Sequence, residues 1–246
     1  MKRVAVVLPS VVICAVTSNC PVLASNGDAR FALHRVPMSE EFDGCGTNNP
    51  NALGIPCTEY SVTAPLGESY VYIVVAGGGE EGIVAVSFGI DYDGRPGEKT
   101  GIDPAEAQFT SCTDGLYFSN DNGWGDFPKP RGGVRAWFAT ATCDDHPVIG
   151  ESGRHALIGF LYLNAYSEDL LRLTPNLGDE PTGNALKVAD CAGSIIDFVE
   201  VEYPALYWNR LGKVHFGGDG TKGYNPCGGV VPAHPNTWGK IKHLYK

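Results

Sequence analysis

Two strings of the sequence set oxygen-bearing side chains beside glycine turns, and the chemistry they suggest is cation binding. Asp91-Tyr92-Asp93-Gly94 and Asn120-Asp121-Asn122-Gly123-Trp124-Gly125-Asp126 both offer carboxylate oxygens, and the second adds amides. Neither completes a twelve-residue calcium loop, because the first has Arg95 at its fifth position and Ile102 at its twelfth. Turns in which Asn and Asp bond their own backbone explain both strings more simply. A structural calcium on Asp91 and Asp93 is the metal expectation, and no other cofactor is indicated. Paired carboxylates also hydrolyse glycosidic bonds, and Asp91 and Asp93 would share a strand face, with Glu80 and Glu81 ahead of them. In a chain with 28 acids most such pairs are solvated surface. An acid-residue hydrolase is therefore the weakest of three functional readings.

The loop SNDNGWGDFPKPRGG over 119–133 is a stronger candidate for a binding surface. Trp124 stands between glycines, with Asn120, Asp121 and Asn122 before it and Phe127, Lys129 and Arg131 after it. An aromatic face beside amide and carboxylate groups can stack on a sugar ring and bind its hydroxyls. The bland alternative is a tryptophan folded back as a lid on the domain edge. Tyr207-Trp208-Asn209-Arg210 is a second aromatic string of the same kind.

Other chemistries lack their residues. Gly150-Glu151-Ser152-Gly153-Arg154, flanked by His146 and His155, misses the second glycine of a G-x-S-x-G nucleophile elbow. No two histidines stand four apart around a glutamate, and Gly77-Gly78-Gly79 leads to Glu80-Glu81, whose charges repel phosphate. No catalytic residue is assigned. With 18 basic against 28 acidic residues, the chain is too acidic for a dedicated nucleic-acid binder.

The elements that must position these residues begin after a targeting segment. Met1-Lys2-Arg3 gives a positive start, 4–16 a mostly apolar stretch broken by Pro9 and Ser10, and Val22-Leu23-Ala24 a cleavage region. Residues 1–24 are expected to leave as a signal peptide. The apolar run is too short for a transmembrane anchor, which needs about 20 residues. Cleavage removes Cys14 and Cys20 and leaves Cys45, Cys57, Cys112, Cys143, Cys191 and Cys227, an even set suited to disulfides in an oxidising compartment. Pairing of nearest neighbours predicts Cys45–Cys57, Cys112–Cys143 and Cys191–Cys227. Loss of Lys2 and Arg3 also leaves 16 bases against 28 acids, a net of −12.

The mature body reads as sheet. Thirty-two glycines and 17 prolines, without period, imply many turns between short strands. Residues 69–76 are apolar on both alternating faces, as in a strand buried between two layers, and 83–92 alternate behind them. Together they suggest an antiparallel hairpin. Strands are also expected over 31–36, 133–140, 154–166 and 213–216; the long 154–166 run admits a buried helix, but Gly159 and the alternating aromatics favour a strand. Asp103-Pro104-Ala105-Glu106 has the pattern of a helix start, with room for only one turn before Ser111-Cys112. The fold class is all-β, an antiparallel β-sandwich with disulfides and short helical turns over 25–228.

After Cys227 the composition changes to a linker and a basic tail over 229–246. Beyond Asp219 there is no acid, whereas Lys222, Lys240, Lys242 and Lys246 are present. Trp238, Ile241, Leu244 and Tyr245 fall at helical spacing, so a short amphipathic helix could form against a partner. The ending TWGKIKHLYK, with Trp238-Gly239, the spaced Lys240 and the final Leu244-Tyr245-Lys246, resembles the short segment that closes many uncharacterised secreted bacterial proteins. It covers ten of 246 residues and departs from that pattern in ending on Lys where Arg often stands. The resemblance implies a sorting or surface-attachment signal read by export or attachment machinery, and it brings no activity. A tail that packs Trp238 on the domain, or frays, is the alternative. The expectation is a secreted or cell-surface binding module, with a glycan-binding module as the second reading.

Overall fold

The computed structural model describes residues 29–38, 43–47, 49–77, 83–112, 127–137, 155–176, 186–191, 195–198 and 210–228. Their strands form two sheets. The first runs β1 (Arg30–Pro37), β3 (Gly67–Ala76), β7 (Ala156–Ala165) and β5 (Gln108–Ser111), all antiparallel. The second is built around β4 (Ile83–Asp91), which pairs with β6 (Gly133–Trp137), β8 (Asp169–Thr174) and β9 (Lys187–Asp190). From β9 it continues to β10 (Ile195–Asp197), and from β8 to β11 (Lys213–Phe216) and β2 (Thr63–Ala64). Only β11 with β2 is parallel among these pairs.

Strand alternation sends one side-chain set of each sheet into a shared core. Phe31, Leu33, Val71, Ile73, Val75, Leu161 and Leu163 meet Val86, Phe88, Ile90, Leu171, Leu173, Val214 and Phe216, all buried. The all-β sandwich expected from the sequence is thus the observed fold. In β7 the inward set changes phase, since Ile158 and Leu161 both face the core although they are three residues apart. The irregularity opposite Ile73 and Val74 supplies the extra residue. Gly159 sits at this point, and a Cβ there would fall 2.4 Å from the Thr110 carbonyl oxygen of β5.

The outward face of the four-stranded sheet carries a second, smaller core. Ala32, Tyr72, Val74 and Ala76 lie beneath Cys57 and Tyr60, with Val36, Ile55, Leu157 and Phe160 around them. The cover is the segment 43–61, of which residue 48 is outside the described set. It explains why 69–76 are apolar on both sides: one side meets the second sheet, and the other meets this lid.

Two expectations, the hairpin and the cysteine pairing, are corrected. β3 and β4 are not a hairpin but belong to different sheets, because both edges of β3 are taken by β1 and β7. The helix start at 103–106 is a single turn, in which Asp103 accepts from Ala105 N–H through its side chain (2.8 Å) and from Glu106 N–H through its carbonyl (3.2 Å). Strand β5 begins at Gln108 and leaves no room for more. The described bonds are Cys45–Cys112 and Cys57–Cys227, at sequence separations of 67 and 170, so all three neighbour pairings fail. Cys191 is disulfide-bonded to a cysteine outside the described residues. Sandwich strands adjacent in sequence diverge, while the lid and the end of the body converge on one face. Loops this long make the bonds worth more than neighbour loops would be, about 4 and about 5 kcal/mol in the chain-entropy model. The signal segment 1–24 and the tail 229–246 lie outside the described residues.

Candidate functional site

The lid covers only half of the outward face. Its border is set by Gly44, whose backbone lies against the Phe160 ring, and by Tyr72, whose hydroxyl donates to the Gly44 carbonyl at 2.6 Å. Farther along the same strands the face carries half-buried and exposed side chains. There β3 presents Glu68 and Tyr70, β7 presents Tyr162 and Asn164, the bend just after it presents Tyr166, and β5 presents Gln108. Register makes this an ordered array: Tyr70 pairs with Tyr162, Glu68 with Asn164, and Gln108 with Tyr162 on the far side.

These side chains hold one another. The Asn164 amide donates to Glu106 at 2.6 Å, and the Tyr166 hydroxyl donates to the same carboxylate at 3.1 Å. Partial burial first, and then the nearby Glu68 carboxylate, push the Tyr162 hydroxyl up to about 12. The bond to Glu106, followed by partial burial, likewise raises the Tyr166 hydroxyl. The Tyr70 ring lies edge-on to Phe160 at 5.6 Å and 5.8 Å from Tyr162, and the Lys99 ammonium stands 5.6 Å from the Tyr166 centroid. Aromatic surface and fixed carboxylates are therefore interleaved on a rigid sheet face.

Of the residues singled out from the sequence, the described ones lie away from this face. Trp124, Asn120, Asp121 and Asn122 lie outside the described residues, as do Glu80, Glu81 and 207–209. Phe127 does not face solvent with them; it packs edge-on against Phe109 at 5.0 Å and Phe88 at 5.8 Å, beside the main core. Arg131 is exposed, in a left-handed conformation (φ 64°) fixed by its N–H donating to the Ile90 carbonyl at 2.8 Å. Asp91 is held by Arg172 through Nη2 at 2.7 Å and Nε at 3.2 Å, and Asp93 lies 3.8 Å from the same guanidinium. A cation binding this pair has to displace Arg172. The Asp93 and Gly94 N–H groups, together with those of Ile102 and Leu170, are taken by buried Asp169 at 2.7–3.1 Å.

A second polar cluster lies under the lid. His34, Tyr60 and His155 are each more than nine-tenths buried, with Tyr60 packed 4.7 Å from His34 and 5.6 Å from His155. His34 Nε2, the Tyr60 hydroxyl and both nitrogens of His155 lack hydrogen-bond partners. His34 Nδ1 accepts from Ser61 N–H at 3.0 Å, so in the neutral ring the proton resides on Nε2. That nitrogen is a donor, and its lone pair is unavailable to a metal ion. The cluster is a packing and titration feature of the lid.

No protein-family model matches the chain, and neither does any curated protein. Among solved structures it is similar to the cohesin module from the family 33 glycoside hydrolase of Clostridium perfringens. That likeness has 13% identity and a TM-score of 0.35, covering 63% of this chain and 89% of that one. It is also similar to the sixth cohesin from scaffoldin B of Acetivibrio cellulolyticus, solved in complex with a Cel5 dockerin mutant. There the identity is 11% and the TM-score 0.36, over 68% of this chain and 92% of that one.

Sequence reasoning missed the open face because its residues come from three strands, and β5 was not read as a strand at all. The signal available was the alternation Phe160, Tyr162, Asn164, Tyr166, which puts polar and aromatic groups on one side of a strand whose other side is aliphatic.

Proposed function

We propose that the chain is an exported, disulfide-stapled binding module, and that the open half of the four-stranded sheet is its binding surface. The observation that carries this is the division of one sheet face. A lid, tied down by Cys57–Cys227 and Cys45–Cys112, buries the apolar half, and the other half presents tyrosines beside carboxylates, with Tyr166 bonded to Glu106. Side chains already fixed before contact lose little entropy on binding, which is what a recognition surface needs. Three bonded cysteine pairs suit an oxidising exterior. The leader over 1–24 would deliver the chain there, and the tail over 229–246 would serve a sorting or attachment machinery.

Two measurements test this reading. In a host that exports the full-length chain, the mature product is expected to begin at Ser25 and to resist thiol alkylation until reduced. An intact Met1, or six freely alkylating cysteines, overturns it. Deletion of 238–246 is expected to leave the fold intact and shift the protein between cell surface and medium. Unchanged partitioning removes the sorting role from the tail.

A further inference from the structure

Resting on the binding-module reading, we infer that the exposed tyrosine face binds an uncharged, hydroxyl-rich polysaccharide lying along the end of β7, with Tyr162 and Tyr166 as ring platforms and Glu68, Glu106 and Asn164 as hydroxyl acceptors.

The hydrogen-bond inventory sets the ligand class. Two donors of the face are spent internally, since Tyr166 and Asn164 donate to Glu106. What the face offers outward is mixed: the remaining carboxylate lone pairs and the Asn164 carbonyl oxygen accept, and the exposed Gln108 amide donates and accepts. Such a surface calls for a ligand whose groups do both, as hydroxyls do. It repels anionic chains, because Glu68 and Glu106 stand among the rings and the protein carries a formal charge of −10.

A hydroxyl polymer fits better than a protein partner. The centre of a protein interface is depleted of charge, and covering both carboxylates with a dry apolar surface would cost several kcal/mol per ion. Sugar hydroxyls replace the water on those oxygens instead, while the apolar faces of the rings lie on tyrosine. The geometry has the matching alternation. Along β7 the outward residues are Tyr162 and Asn164, about 7 Å apart, and Tyr166 follows in the bend just past the strand, so aromatic, polar and aromatic positions follow one another. Across the sheet the same alternation repeats, with Tyr70 beside Tyr162 and Glu68 beside Asn164. Lys99 borders the array at Tyr166 and closes one end to cationic ligands.

The test uses the mature full chain in affinity electrophoresis through gels containing one soluble polymer each. Hydroxyethyl cellulose, xylan, mannan, laminarin and starch are the neutral probes, with polygalacturonate as the anionic and chitosan as the cationic one. At least one neutral polymer is expected to retard the protein, and the retardation should persist in high salt. Tyr162→Ala and Asn164→Ala should each weaken it by about tenfold, while Lys187→Ala on the opposite sheet leaves it unchanged. Native disulfide maps of the variants establish that they fold. Retardation by no neutral polymer overturns the proposal. So does retardation by chitosan alone that vanishes in salt, or binding abolished by Trp124→Ala but indifferent to Tyr162→Ala. None of these outcomes touches export, which the terminus and thiol measurements decide.

Discussion

Asn51 and His155 grip each other twice across 104 residues: the Asn51 amide donates to the His155 carbonyl at 2.6 Å, and the His155 N–H donates to Asn51 Oδ1 at 2.9 Å. The pair joins the lid to the start of β7, where the strand has no sheet partner for these backbone groups. Asn225 does the same at the other end of the chain, donating to the Cys57 carbonyl at 2.7 Å beside the Cys57–Cys227 bond. The lid is therefore fastened by amide side chains as much as by sulfur, and its edge fixes where the open tyrosine face begins.

Replacing Asn51 with Ala should cost about 2 kcal/mol, because it leaves a part-buried N–H and C=O of His155 unpaired. Urea denaturation of the purified chain reads this directly. A change below about 0.5 kcal/mol would mean that water takes over both bonds, and that the lid is held without them.

Non-reducing peptide maps should contain Cys45–Cys112 and Cys57–Cys227, with Cys191 joined to Cys143 as the one cysteine left after removal of 1–24. Loss of the 170-residue loop in a Cys57→Ser, Cys227→Ser variant should destabilise the fold by about 5 kcal/mol. Recovery of a Cys45–Cys57 peptide from native protein would contradict the lid described above.

The strands were legible where alternation was strong. The strand at β11 and the length of β7 follow from apolar residues at every second place, and the double-sided burial of β3 from its unbroken apolar run. Pairing was not legible. Nothing in the β3 and β4 sequences says that the chain crosses from one sheet to the other between them, since both are equally hydrophobic. Strand β8 escaped because Asp169 and Arg172 obscure an otherwise regular alternation of buried Asp169, Leu171 and Leu173. The lid escaped for a different reason: segment 43–61 is polar and irregular, and it is held by bonds to residues distant in sequence, from 67 positions for Cys45–Cys112 to 170 for Cys57–Cys227.

Acid should loosen the lid before it affects the main core. Burial, and then the neighbouring Arg35 charge, lower His34 to about 4, and burial lowers His155 as well. An unfolded histidine takes its proton near 6.5, so between that pH and about 4 the unfolded chain holds more protons than the folded one. Stability is therefore fully present above pH 6.5 and is lost as pH falls toward 4, by on the order of 3 kcal/mol for His34 alone. Denaturation midpoints from pH 7.5 to 5 should fall less steeply in His34→Gln, whose side-chain oxygen can still accept from Ser61 N–H. Equal slopes in both proteins would show that His34 titrates normally in the folded state.

Asp169 should be the most sensitive polar position outside the lid. Its two oxygens take the backbone N–H groups of Asp93, Gly94, Ile102 and Leu170, and so fold the chain after β4 back on itself at the start of β8. The packing leaves no slack: a Cβ on Gly101 would lie 2.4 Å from Asp169 Oδ2, and one on Gly94 would lie 1.7 Å from the Ile102 carbonyl oxygen. Asp169→Ala strands four donors at once, and at about 1 kcal/mol or more for each it should cost about 4 kcal/mol or more. Asp169→Asn keeps one accepting oxygen but turns an amide donor toward N–H groups, so it should rescue less than half of that loss. Thermal and urea unfolding of the two variants measures both effects. Equal stability of the Asn variant and the parent would mean that a single oxygen is sufficient to hold this turn.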